Sequence, residues 1–226
     1  MRVAGPDTVP VAAPRVGEQW RFREIEGYRA KPLAEITYTV VGTDAGGIDL
    51  QVAVDGSPQS GIREGQVVRY VSPWQVAQDA VYDRELVYEP AAPLVGSRRQ
   101  GSRETVLVRA AAPDGQRPEN WFITTSWVGW EEVEVPAGRF RAARFDRLIK
   151  FFNNDTFRWS TERRESLWYS PEVGHWVRRQ VTGFYLRPPY VRGRRAEIFR
   201  EDWTIWELLE YRPVSGGTVN VSPTLP

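Results

Sequence analysis

The sequence predicts an all-β protein, one mostly antiparallel curved sheet or partly open barrel of about a dozen strands with at most one or two short helices. A β-sandwich is the next choice. Three observations carry this expectation. Apolar and polar residues alternate with period two over many short runs, as on a half-buried strand. Turn residues interrupt those runs at close intervals, with 19 Gly and 17 Pro in 226 residues. Ten Trp, nine Tyr and nine Phe stand beside a single Met, and large flat rings suit pleated surfaces.

The first 16 residues carry Pro6, Pro10 and Pro14 among Val and Ala, which predicts an extended, poorly tied lead-in. Trp20 and Phe22 then alternate with Arg21 and Arg23 in an opening strand. Ile36, Tyr38 and Val40 share one parity, and Ile48, Leu50, Val52 and Val54 another, around the turn Thr43–Gly47. That pair is the clearest hairpin of the first half. A strand follows over Gln66–Val71. Ser72-Pro73 ahead of Trp74–Val81 predicts a two-turn helix with a Ser cap and Pro at its first position. Residues 89–96 read as a loop.

Strands resume at Glu104–Arg109 and at Trp121–Trp127, where Trp121, Ile123, Thr125 and Trp127 share a face. Glu131–Val135 and Phe140–Ile149 flank Pro136-Ala137-Gly138, and Arg163–Tyr169 and His175–Phe184 flank Pro171 and Gly174. Pro pre-sets the first corner of such a turn and Gly supplies the positive φ other residues avoid. Val133 and Val135 then face Phe140 or Ala142 across the first hairpin, and Trp168 and Trp176 meet across the second. Asn153-Asn154-Asp155 is another turn. Ile198–Tyr211 closes the sheet with Trp203, Ile205 and Leu209 on one parity. The expected organisation is a single domain over 17–212, with 17–90 and 100–212 as its two lobes if it divides, and a flexible tail over 213–226. No short-period repeat is visible.

Composition narrows the function classes. A net charge of +1 gives no global field for nucleic acid. Of the 30 basic residues only Lys31 and Lys150 are lysines. The absence of Cys rules out disulfides, thiolate metal sites and a Cys nucleophile. No apolar run reaches the ~18 residues of a membrane helix, and residues 1–14 lack the apolar stretch of a signal peptide.

The segment Val133-x-Val135-Pro136-Ala137-Gly138-x-Phe140, followed by Tyr169-Ser170-Pro171-Glu172-Val173-Gly174, resembles bacterial exported proteins of unknown function marked by V-P-A-G-x-F … Y-x-P-x-V-G. Gly17-Glu18-Gln19-Trp20-Arg21-Phe22 is similar to the G-D-x-W-x-Y opening of such proteins. The resemblance covers 127–180 well and 16–211 loosely. It implies a periplasmic or envelope β protein with the curved half-barrel of lipoprotein-carrier proteins, and it supplies no catalytic residue. Export is then expected of the parent protein.

Candidate chemistry is sparse. His175 is the sole histidine, with no Gly-x-Ser-x-Gly to serve as its partner, and reads as a strand residue after a turn. Glu131, Glu132, Glu134, Glu162 and Glu165 offer carboxylate pairs, but their alternation and the arginines beside them predict cross-strand ion pairs on a wet face. Arg192-Gly193-Arg194-Arg195 reads as a solvated basic loop or a grip for phosphate. No cofactor motif and no metal set is present. The set with most binding potential is Trp121, Trp127, Trp130, Trp168 and Trp176, which either fills the core or lines a concave face for an apolar ligand. The favoured expectation is a non-enzymatic envelope protein that binds an apolar small molecule, a lipid or an envelope partner. The alternatives are an assembly component acting through sheet edges and, last, a hydrolase built on Glu131, Glu165 or His175.

Overall fold

Fifteen strands and no helix form among the described residues of the computed structural model, which are 1–73, 75–79, 84–89, 100–111, 118–152, 158–189 and 195–214. In chain order they are β1 (Arg2–Val3), β2 (Gln19–Glu26), β3 (Lys31–Asp44), β4 (Gly47–Gly56), β5 (Val67–Ser72), β6 (Gln75–Val76), β7 (Gln78–Asp79) and β8 (Arg84–Glu89). There follow β9 (Arg103–Ala110), β10 (Glu119–Val135), β11 (Gly138–Phe152), β12 (Ser160–Ser170), β13 (His175–Arg187), β14 (Glu197–Arg200) and β15 (Thr204–Arg212). Every pair is antiparallel, in the order β6-β5-β4-β3-β2-β15-β13-β12-β11-β10-β9-β8-β7, with β1 added to β10 and β14 to β13.

The two ends of that path meet at one residue. Ala77, between β6 and β7, donates its N–H to the Arg69 carbonyl of β5 and accepts the Leu86 N–H of β8, both at 2.7 Å. The right-handed twist of so long an antiparallel sheet curls it back on itself, and this bridge makes a nearly closed barrel. The expected all-β, curved architecture is therefore the observed one.

Both Pro/Gly corners join adjacent antiparallel strands, β10 to β11 and β12 to β13. Val135 pairs with Gly138, whose φ of 136° only glycine adopts without strain, and Val133 faces Phe140. The Thr43–Gly47 hairpin forms as expected, with Tyr38 opposite Val52. Trp121, Ile123, Thr125 and Trp127 share the buried face of β10.

Four expectations need correcting. The predicted helix over 74–81 is instead β6 and β7, for the residues of it that are described. A two-turn helix has little stability of its own, and here the seam takes its backbone groups, with Val76 opposite Tyr70 and Gln75 opposite Ser72. On β15 the buried parity is Thr204, Trp206 and Leu208. Ile205 faces the other way, and Leu209 does not continue its parity because it is the extra residue of a bulge between Leu208 and Glu210. Trp168 and Trp176 do not meet, since a second bulge pairs Trp168 with Arg178 but Tyr169 with Trp176. Finally, Glu165 and Arg163 are not on a wet face but are almost wholly buried inside the barrel.

The N-terminal segment is held at more points than its composition suggests. Arg2 and Val3 pair with Glu131 and Trp130, the Ala12 N–H donates to the Tyr169 hydroxyl, and Val9 is buried in the core. Of the loop expected at 89–96, Glu89 ends β8 and the rest lies outside the described residues, as do the turn at 153–155, most of the basic loop at 192–195 and the tail from 215.

Candidate functional site: a cavity inside the barrel

Inward side chains fill one end of the barrel and leave a cavity towards the other. The filled end is aromatic. Trp20, Phe22, Tyr38, Tyr70 and Trp176 surround His175, with ring centroids 4.7 to 6.2 Å from the imidazole. The Trp20 indole N–H donates to the Val173 carbonyl at 2.8 Å, which ties this packing to the second Pro/Gly corner. Burial pulls the His175 pKa down to about 3, so the ring is neutral at ordinary pH.

The cavity has a volume of about 320 Å³. Strand order divides its wall in two. At the seam, Val68 of β5, Val76 of β6 and Leu86 and Tyr88 of β8 give an apolar face. Across the barrel, β11, β12 and β13 contribute Arg147, Arg163, Glu165 and Arg179. Trp121 and Trp206 complete the sides. The cavity is thus apolar on one wall and ionic on the other.

The ionic wall is tightly organised. The Glu165 carboxylate takes a charge-assisted hydrogen bond from Arg147 through one oxygen and from Arg179 through the other. Burial opposes ionisation of Glu165, yet the field of Arg147 and then Arg179 outweighs it and holds the carboxyl below the usual range. Arg179 also stacks over Trp206, with its guanidinium carbon 5.0 Å from the ring centroid, and Arg163 bonds Glu201 at 3.0 Å. Behind the wall, Glu24 accepts from the Trp206 indole at 3.0 Å and from the Gln59 N–H at 2.6 Å. Burial and then the neighbouring Tyr70 keep Tyr38 protonated far above its ordinary range.

The five tryptophans singled out by sequence do not form one surface. Trp121 lines the cavity. Trp176 sits in the aromatic end, 4.0 Å from Phe22 between centroids. Trp127 and Trp130 pack edge to face at 6.3 Å, and the Trp130 indole donates to the Pro6 carbonyl. Trp168 lies on the outer face between the guanidiniums of Arg144 and Arg178, donating to Glu131 at 2.7 Å. Glu131 is therefore on the opposite face of the sheet from Glu165, so the carboxylates weighed for hydrolysis are not gathered. Glu162 pairs outside with Lys150 at 3.2 Å and Glu132 with Arg139 at 3.4 Å. No three of His, Cys, Asp and Glu gather as a metal site among the described residues.

Sequence reasoning missed Arg147, Arg179 and Trp206. A signal existed for the first: Arg147 interrupts the apolar stripe Phe145, Ile149 and Phe151 on one parity of β11. A charged residue inside such a stripe points inward to a polar partner.

No protein-family model matches the sequence, and no curated protein sequence matches it. Among solved structures the chain is similar to a candidate lipoprotein from Parabacteroides distasonis, with a TM-score of 0.47 and 13% identity over 88% of this chain and 97% of that one. It is also similar to a candidate exported protein with a YmcC-like fold from Bacteroides fragilis, at 0.45 and 12% over 89% and 98%. The hypothetical lipoprotein YmcC from Escherichia coli gives 0.41 and 9% over 87% and 85%. Likenesses this distant carry no function across.

Proposed function

We propose that this protein is a binding protein that holds a small, largely apolar ligand inside its barrel and performs no chemistry on it. The supporting observation is the cavity of about 320 Å³, with Val68, Val76, Leu86 and Tyr88 on one wall and Trp121 and Trp206 at its sides. That volume falls at the small end of the ~300–1,000 Å³ range of ligand pockets. Two of the carboxylates that line it are committed to arginines, Glu165 to two and Glu201 to a third, so neither is poised as a free acid or base. The envelope setting implied by the sequence motif accompanies this reading, and cell fractionation of the parent protein tests it.

Assembly through sheet edges is less well supported, because the seam at Ala77 occupies backbone groups that open edges would offer to a partner. The test of the ligand reading is a titration with a neutral fluorescent probe, N-phenyl-1-naphthylamine. Saturable binding of one probe per chain is expected. A Leu86→Trp variant that fills the cavity, with an unchanged circular dichroism spectrum, should abolish it. Absence of saturable binding, or equal binding by the filled variant, would rule the reading out.

A further inference from the structure

The ionic groups set deepest around the cavity balance in charge but not in hydrogen bonds. Arg147, Arg163 and Arg179 stand against Glu165, Glu201 and Glu24, three cations against three anions largely removed from water. Arg200 and Asp202, which also line the cavity, are exposed and solvated. A charged ligand would therefore lose its hydration against a wall that is already neutral. Donors, in contrast, outnumber acceptors. A guanidinium has five N–H donors and a carboxylate about four acceptor positions. Glu24 fills its positions with the Trp206 indole, the Gln59 and Ser60 backbone N–H groups and the Ser60 hydroxyl, so it takes no hydrogen bond from an arginine. Glu165 accepts one bond from the Arg147 Nη1 and one from the Arg179 Nε.

Neither Nη of Arg179 makes a hydrogen bond among the described residues. The guanidinium lies over the Trp206 ring at 5.0 Å, and 21% of the side chain remains accessible where it lines the cavity. Held by the ring on one face and by Glu165 at Nε, the group has its Nη edge left to offer. We propose that the ligand is electrically neutral and carries a carbonyl, of ketone, ester or amide type, that accepts from the Nη edge of Arg179. Its apolar body lies on the opposite wall of Val68, Val76 and Leu86. This rests on the binding-protein reading and names the chemical class of its ligand. A carbonyl oxygen takes a charge-assisted hydrogen bond without adding a charge to the wall. At about 30 Å³ per small heavy-atom group, the cavity takes roughly ten such groups.

The test compares methyl octyl ketone, decanoate and decyltrimethylammonium, each below its micellar concentration. Changes in intrinsic tryptophan fluorescence report binding, because Trp121 and Trp206 line the cavity. The ketone is expected to bind at least about ten-fold more tightly than either ion, whose charge the balanced wall does not answer. Infrared spectra of the ketone with an isotope-labelled carbonyl then read the hydrogen bond itself. The stretch of the bound carbonyl is expected below its frequency in hexane. Arg179→Lys, checked for folding by circular dichroism, keeps the charge opposite Glu165 and removes the planar donor edge. It should weaken the ketone about ten-fold, the share of one charge-assisted hydrogen bond. Either ion binding as tightly as the ketone would overturn the neutral ligand. A bound stretch at its hexane frequency, or a folded variant that binds the ketone as wild type does, would overturn the contact with Arg179. Each of these results leaves the cavity reading intact. If none of the three probes bound the wild-type protein, both would fall. The wild-type measurements stand whether or not the variant folds.

Discussion

Arg139 reaches Glu132 and Glu134 at 3.4 and 3.5 Å, and its side chain is 64% exposed. Glu165 meets two arginines with 2% of its side chain exposed. Solvent and salt screen the first set, so Arg139→Gln should cost under about 0.5 kcal/mol. Glu165→Leu strands two guanidiniums inside the barrel and should cost about 3–5 kcal/mol in urea denaturation. His175 makes a different residue-scale prediction. Its pKa is about 3 in the folded protein, against ~6.5 for an unfolded histidine. The unfolded chain therefore binds the proton first as pH falls, and stability drops between pH ~6.5 and ~3 by up to about 1.4 kcal/mol per unit. The His175→Leu variant should lose that slope while remaining folded at pH 7, because the ring forfeits only one long contact, Nδ1 to the Trp176 carbonyl at 3.3 Å, and Nε2 has no partner. A slope unchanged from wild type would show that His175 does not titrate as described. The exposed pairs of Glu132 and Glu134 are the ion pairs on a wet face that the sequence predicts. The burial of Glu165 contradicts that pattern, and nothing local marked His175, read as a strand residue after a turn, as buried. Burial set by distant strands, not local pattern, decides both.

The hairpins were legible because their signals are local. Alternation fixed the faces of β3, β4 and the first half of β10, and Pro136 with Gly138 fixed a corner. Bulges defeated the same reasoning, since one extra residue at Leu209 or beside Trp168 exchanges inside and outside for everything beyond it. The seam was illegible for a related reason: β6 and β7 are two residues each and exist only because β5 and β8 are brought together by the curl of the sheet. Ala77→Pro removes the N–H that reaches Arg69 and should separate β5 from β8. Probe binding should then fall at least about ten-fold with little change in far-ultraviolet circular dichroism, a loss equivalent to roughly one backbone hydrogen bond. Gly47 gives a second test at this scale. A Cβ there would lie 2.2 Å from the Tyr70 carbonyl oxygen, so Gly47→Ala must push β5 off β4 and should cost about 3 kcal/mol. Gly65 also has a positive φ but open space around it, and Gly65→Ala should cost only about 1 kcal/mol in the same thermal melts.

At the scale of the whole molecule, the barrel divides its contents by position along its axis. One end is packed with Trp20, Phe22, His175 and Trp176 and crossed by the N-terminal segment, where Val9 is buried and Trp130 bonds Pro6. The other end keeps a cavity whose ionic wall and apolar wall face each other across the ring. Fold class and the richness in aromatic rings were readable from composition and alternation. Which rings would bound open space was not, because ring closure decides it, and the bridge from Arg69 to Leu86 joins strands near opposite ends of the sheet. The account depends on the space between Val76, Leu86 and Trp121 being one that a ligand occupies. Isotope-filtered nuclear Overhauser spectroscopy on the methyl-labelled protein with decanol tests this most directly. The account predicts cross-peaks from the probe to the methyl groups of Val68, Val76 and Leu86; cross-peaks confined to the exposed outer residue Ile198, or none at saturating probe, would contradict it.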